Sequence, residues 1–220
     1  MLTSFLSNKS YIPKVNANFV NRDNLVEKIN QGLDKKLTLI SAPAGFGKTS
    51  IISKWVEQSK LKVAWLSLDK ADNNPIFFLS YIIGSLSSIK EDFGLSIQPL
   101  LKTTPNPDFL ISSLITEIEE KLEKCVLVLD DFHLLENEII NQYMNFFINN
   151  VSSKVHLIII SRTEPNLHIS KLRLNQQINE IKINDLRFSS MEQKDFFRHQ
   201  LKLDLSEEQL SKINSKTEGW

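Results

Sequence analysis

The stretch from Leu37 to Ser50 constrains this chain more than any other. Leu37, Leu39 and Ile40 form a short apolar run that breaks into a loop of small residues, after which Ile51, Ile52, Trp55 and Val56 recur at helical spacing. The pattern predicts a strand, a tight loop and a helix. The loop matches the phosphate-binding signature with one relaxation, Ala42 standing where a glycine usually opens it and Gly47, Lys48 and Thr49 closing it. Gly45 and Gly47 let the backbone coil around a polyphosphate and aim successive N–H groups at it. Residues Ala44, Gly45, Phe46, Gly47, Lys48, Thr49 and Ser50 are thus the candidate nucleotide-holding stretch. Lys48 would reach the β- and γ-phosphates of ATP, and Thr49 would offer its hydroxyl to Mg²⁺. An ordinary glycine-rich turn is the bland alternative.

Composition sets few limits. The chain has 220 residues and a formal net charge of zero, so no basic surface points to nucleic acid or a membrane as partner. Its single cysteine, Cys125, heads an apolar run and fits a buried thiol in a reducing, cytoplasmic setting. No stretch has the length and apolarity of a membrane span or an export signal, so the expectation is a soluble protein. The four histidines lack metal-ligand spacing.

In chain order, residues 1–18 read as an extended N-terminal arm, and 19–187 as one α/β domain. An amphipathic helix covers Leu25 to Leu33, strands are expected at Val63–Leu68, Cys125–Leu129, Val155–Ile160 and near Ile178–Ile183, and helices lie between them. Two successive helices lengthen the crossover before Cys125. The continuous apolar runs are those of a parallel sheet covered on both faces. Trp55, Trp65 and the phenylalanines read as core. From residue 188 to 220 the pattern changes: Ser189 with Glu192 and Ser206 with Gln209 are capping boxes, opening two helices with no strand between them. This segment reads as the start of a small helical domain, cut short.

Asp130 and Asp131 follow an apolar strand at the carboxyl edge of the sheet, where ligands bind in open α/β folds. Asp130 is the expected partner of Mg²⁺, and Asp131 the expected group to orient the attacking water. Arg162 holds the corresponding place on the next strand, where a planar cation can sense the γ-phosphate. Lys48, Asp131 and Arg162 are therefore the candidate catalytic residues, and Thr49 with Asp130 the candidate metal site. His133 reads more readily as a satisfied structural histidine than as a polar neighbour of that site.

With these residues in hand the chain resembles the nucleotide-binding part of the MalT-like regulators, LuxR-type transcription activators of the STAND class of signalling ATPases. The likeness runs through Ile40–Thr49, Ala64–Asp69 with Asp72 and Asn73, Val128–His133, Ile160–Arg162, Leu172–Arg173, Asp185–Phe188 and Thr217–Trp220. It implies a P-loop NTPase fold with a parallel five-stranded sheet of the additional-strand type, order 5-1-4-3-2, flanked by helices and followed by a small helical domain. It also implies that Val20 to Arg22 lie against adenine, so Val20 and Arg22 join the candidate nucleotide contacts. Family members usually continue with a proline after the Gly219–Trp220 pair. The implied function is an ATP/ADP switch with slow Mg²⁺-dependent hydrolysis controlling self-association, the inducer and DNA being bound by regions beyond this chain. An ATPase or kinase with turnover as its purpose, and a catalytically silent nucleotide-binding scaffold, are the alternatives.

Overall fold

The computed structural model describes residues 9–15, 19–103 and 107–217. The final Glu218, Gly219 and Trp220 of the family-like motif, most of the N-terminal arm, and Pro105 of the proline-rich loop lie outside those residues.

Helix α1 (Asp23–Gly32) leads into β1 (Leu37–Ser41), the phosphate-loop strand, and α2 (Lys48–Gln58) follows the loop. Next come β2 (Lys62–Ser67), α3 (Pro75–Ser87), the short α4 (Leu100–Thr103) and α5 (Pro107–Lys121). Three alternating units complete the sheet: β3 (Cys125–Asp130) with α6 (Glu138–Asn150), β4 (Val155–Ser161) with α7 (Ser170–Leu174), and β5 (Ile178–Lys182) with α8 (Ile183–Leu186). Helix α9 (Ser190–Asp195) and α10 (Glu207–Thr217) end the described chain. Pro75 opens α3 behind Asn74, whose side chain accepts from the N–H groups of Ile76 and Phe77, so the helix starts where the sequence supplies both a cap and a fixed φ.

Among the described residues the five strands are parallel in the order β2-β3-β4-β1-β5. This is the order implied by the resemblance, read from the opposite edge. The Arg162 strand lies between the phosphate-loop strand and the Asp130 strand. Register fixes the tips: Ser41 pairs with Ser161 on one side and Lys182 on the other, and Ser67 pairs with Asp130.

Strand periodicity divides the core into two layers. Leu37, Leu39, Leu127, Leu129, Leu157 and Ile159 pack with α3, α5 and α6, whereas Ile40, Val126, Val128, Ile158 and Ile160 pack with α1 and α2. Both Trp55 and Trp65 are buried in the second layer. Both capping boxes form, with Ser189 and Glu192 exchanging hydrogen bonds at α9, and Ser206 and Gln209 at α10.

The described part of the arm is tied to the domain, because Lys9 Nζ lies 2.5 Å and 2.6 Å from the two carboxylate oxygens of Asp72, which is buried, and 2.8 Å from Asp69. It also sits over the ring of Tyr81. A lone basic residue in an aperiodic segment carries no sequence signal for such a buried partner.

Candidate functional site

The loop after β1 turns on two glycines with positive φ, Gly45 at 90° and Gly47 at 64°. That left-handed region is costly for residues carrying a Cβ. Gly47 is the N-cap of α2 and, having no side chain, offers no cap acceptor, so the N–H groups of the first turn keep their outward donors. Together with the helix dipole these donors make a cradle for an anion. Ala44, Gly45 and Ser50 are exposed, Phe46 and Gly47 half-buried. Lys48 is buried, and its Nζ donates to the carbonyl of Pro43 at 2.8 Å, curling over its own loop. Burial lowers its pKa, with the Arg162 charge adding to that and Asp131 and Asp130 opposing.

Thr49, one residue on, faces β3. Its hydroxyl donates to Asp130 Oδ1 at 3.2 Å, and the backbone N–H of Asp131 donates to the same oxygen at 2.9 Å. A hydroxyl and a carboxylate held together suit a hard divalent cation with oxygen ligands, so the donors present fit Mg²⁺. Asp130 is 4% exposed, and burial first, then the adjacent Asp131 charge, raise its pKa to about 6. Thr49, the Asp131 N–H and Lys48 act in the other direction.

The chain turns directly after β3. Asp131 takes φ 57°, ψ 36°, a conformation that aspartate tolerates better than most residues, and a single 3₁₀ turn, Phe132–Leu134, follows. This leaves the Asp131 side chain 45% exposed, with the His133 ring Nδ1 3.8 Å from its Oδ1. Phe132 anchors the turn in the core. Asn73, after β2, grips it from outside: its Nδ2 donates to the Leu134 carbonyl at 2.8 Å, and its Oδ1 accepts from the N–H groups of Glu136 and Asn137. Sequence reasoning gave Asn73 no such part, although its place beside Asp72 and the Asn74–Pro75 helix start marks a polar turn.

Arg162, exposed at the tip of β4, rims a cleft of about 260 Å³ that Ser41, Ala42 and Pro43 also line. Its charge acts on both Lys48 and His133. The structure thus brings Lys48, Thr49, Asp130, Asp131 and Arg162 to one edge of the sheet.

Val20 and Arg22 are placed differently from one another. Val20 is half-buried just ahead of α1. The Arg22 guanidinium is buried in a protein-made site: Nη1 donates to Leu186 O and Nη2 to Arg187 O, both at 2.7 Å, Nε lies 3.2 Å from Glu192, and the group stacks over Phe188. Both Arg22 Nη groups are thus engaged by backbone carbonyls of the protein itself. His133 also departs from expectation, since its Nδ1 is buried without a hydrogen-bond partner among the described residues.

No family model matches the chain. Two curated relatives, each an HTH-type transcriptional regulator MalT, come from Serratia proteamaculans (strain 568) and Yersinia pestis (strain Pestoides F). They are 33% and 34% identical to this chain over 205 and 206 residues. Each alignment takes in 92% of this chain but 23% of the relative, so the chain spans less than a quarter of their length. Among solved structures, a signal-transduction ATPase with numerous domains from Pyrococcus horikoshii, which carries a tetratricopeptide-repeat sensor, matches with a TM-score of 0.65 at 20% identity. That match covers 94% of this chain and 29% of the other. A Walker-type ATPase of Pyrococcus abyssi matches with a TM-score of 0.56 at 13% identity, over 92% of this chain and 65% of its own. At those identities the structural likeness speaks to the fold alone.

Proposed function

We propose that this MalT-like region, whose fold is that of the P-loop NTPases, is a nucleotide-gated regulatory switch that binds ADP and ATP with Mg²⁺ and hydrolyses ATP slowly. The observation that carries the reading is the pairing of the Thr49 hydroxyl with the Asp130 carboxylate beside Lys48 at the mouth of a glycine cradle. In this reading the N–H groups from Ala44 to Ser50 hold the phosphates, and Lys48 exchanges its bond to Pro43 for one to the terminal phosphoryl oxygens. Thr49 and Asp130 would hold Mg²⁺, which when bound would offset phosphate charge. Asp131 accepts a hydrogen bond from the attacking water, and Arg162 bonds the γ-phosphoryl group that distinguishes ATP from ADP.

A switch requires unequal affinity for the two nucleotides in its two states, because equal affinity shifts nothing. We assign part of that difference to Arg162. One charge-assisted hydrogen bond is worth about 1.5–3 kcal/mol, which is roughly a ten- to hundredfold change in affinity. Arg162→Ala should therefore cut ATP affinity by at least about tenfold and leave ADP affinity nearly unchanged; equal losses for both nucleotides would remove the sensing role. Phosphate release at many turnovers per second would favour an enzyme whose purpose is turnover, and release over minutes to hours the switch.

The matched relatives are much longer transcription regulators. We assign to these residues the nucleotide step, with hydrolysis governing self-association of the parent protein in the cytoplasm. Inducer and DNA are assigned to other parts of it. The segment 19–187 is the proposed nucleotide-binding unit, and 188–220 the proposed start of a helical domain.

A further inference from the structure

His133 sits on the same turn as Asp131, and that turn is held from three sides. Phe132 and Leu135 are buried beneath it, the Leu134 N–H closes on the Asp131 carbonyl at 3.0 Å, and Asn73 fixes the backbone of Leu134, Glu136 and Asn137. The backbone positions that carry the imidazole and the Asp131 carboxylate are therefore fixed relative to one another. The His133 side chain is 12% exposed, and its Nδ1 reaches no partner among the described residues. Asp131 Oδ1 lies 3.8 Å from this nitrogen, just beyond hydrogen-bond range. A small rotation of the exposed carboxylate closes that gap, or one shared water spans it. Leaving a buried ring nitrogen unpaired is unfavourable, so closure is the favoured state.

We infer that His133 is a positioning residue, whose Nδ1–H orients the Asp131 carboxylate and, through it, the attacking water. The inference rests on the reading of Asp131 given above. The electrostatics agree with the geometry. Burial first, and the Arg162 and Lys48 charges with it, hold His133 below its ordinary pKa, against the pull of Asp131. A neutral ring carries one N–H, and the carboxylate selects Nδ1 for it. A buried histidine that merely filled space would have no reason to prefer that tautomer.

The test uses nitrogen-15 NMR on the nucleotide-free 220-residue chain, with hydrolysis and ADP binding measured on variants. The wild type should show the Nδ1-protonated tautomer at His133, and Asp131→Ala should shift the proton towards Nε2. His133→Phe should slow ATP hydrolysis by roughly tenfold or more, as loss of an orienting hydrogen bond does, with ADP affinity kept within about twofold. His133→Asn, whose amide N–H falls near Nδ1, should recover most of that loss, and His133→Gln should not. An Nε2-protonated wild type, or His133→Phe hydrolysing at the wild-type rate, overturns the inference alone. Undiminished hydrolysis in Asp131→Ala overturns the reading of Asp131 and the inference with it. Should His133→Phe fail to fold, the wild-type tautomer still decides.

Discussion

Asp130→Asn should stabilise the nucleotide-free protein while abolishing its Mg²⁺-dependent binding. In the wild type the carboxyl pKa moves from 3.8 to about 6, chiefly through burial. A carboxyl whose folded-state pKa is raised keeps its proton longer in the folded chain than in the unfolded one. Stability therefore falls as pH rises from about 4 to about 6, and the penalty is fully present above that. Two pKa units amount to about 3 kcal/mol. The neutral amide escapes this penalty and keeps Oδ1 as acceptor for the Thr49 hydroxyl and the Asp131 N–H, which lie at 3.2 Å and 2.9 Å. At pH 7.5 the variant should be more stable by up to about 3 kcal/mol, and at pH 5 by about half that. For a chain of this size that corresponds to a rise in Tm on the order of 5–10 °C at pH 7.5. Thermal unfolding followed by circular dichroism at both pH values, with Mg²⁺–ADP titration alongside, reads both effects. A variant less stable than wild type at pH 7.5, or an advantage that does not shrink on acidification, would refute the electrostatic account of Asp130.

The other predictions concern the frame around the site. Gly32→Ala should destabilise by about 1–3 kcal/mol in urea unfolding, because a Cβ there would stand 2.5 Å from Asn179 Nδ2 and 2.7 Å from Thr38 Oγ1, where α1 closes onto β1 and β5. A neutral result would mean that Asn179 yields freely. Arg22→Met should raise hydrogen exchange selectively across residues 186–192, since it removes the donors to Leu186 and Arg187 and the partner of Glu192; uniform exchange would show that Arg22 does not tie those parts together. Lys9→Ala should cost about 3 kcal/mol by stranding the buried Asp72 carboxylate, and an unchanged unfolding midpoint would show that the arm contributes nothing. Mg²⁺–ADP affinity of the wild type should fall as pH drops below about 6, where protonated Asp130 no longer serves as a cation ligand; a flat profile from pH 7.5 to 5 would count against that ligand.

Much of this was legible in the sequence because the informative signals were local. The phosphate loop announces itself through glycines at positions that demand positive φ. The strands announce themselves through apolar runs such as Val126–Leu129 and Leu157–Ile160, and α9 and α10 through capping boxes within four residues. Strand order came from the resemblance, since nothing in the periodicity of β4 says that it lies between β1 and β3. What escaped the reading is contact across long separations. Lys9 finds Asp72, Arg22 finds Leu186 to Glu192, and Asn73 finds Leu134 to Asn137, each in a contact that no local pattern specifies. The state of His133 escaped for a related reason. Whether a buried ring nitrogen has a partner depends on one turn geometry, set by Asp131 in a left-handed conformation that its residue type permits but does not require.

The convergence of Lys48, Thr49 and Asp130 on one polyphosphate is tested most directly by fluorescence titration of a labelled ADP, with and without Mg²⁺, into wild type, Lys48→Ala and Asp130→Asn. The account predicts saturable binding to the wild type that Mg²⁺ strengthens; Lys48→Ala abolishes it and Asp130→Asn removes the strengthening by Mg²⁺, while far-ultraviolet circular dichroism stays unchanged. Wild-type affinity retained in Lys48→Ala, or binding indifferent to both Mg²⁺ and Asp130→Asn, would contradict it.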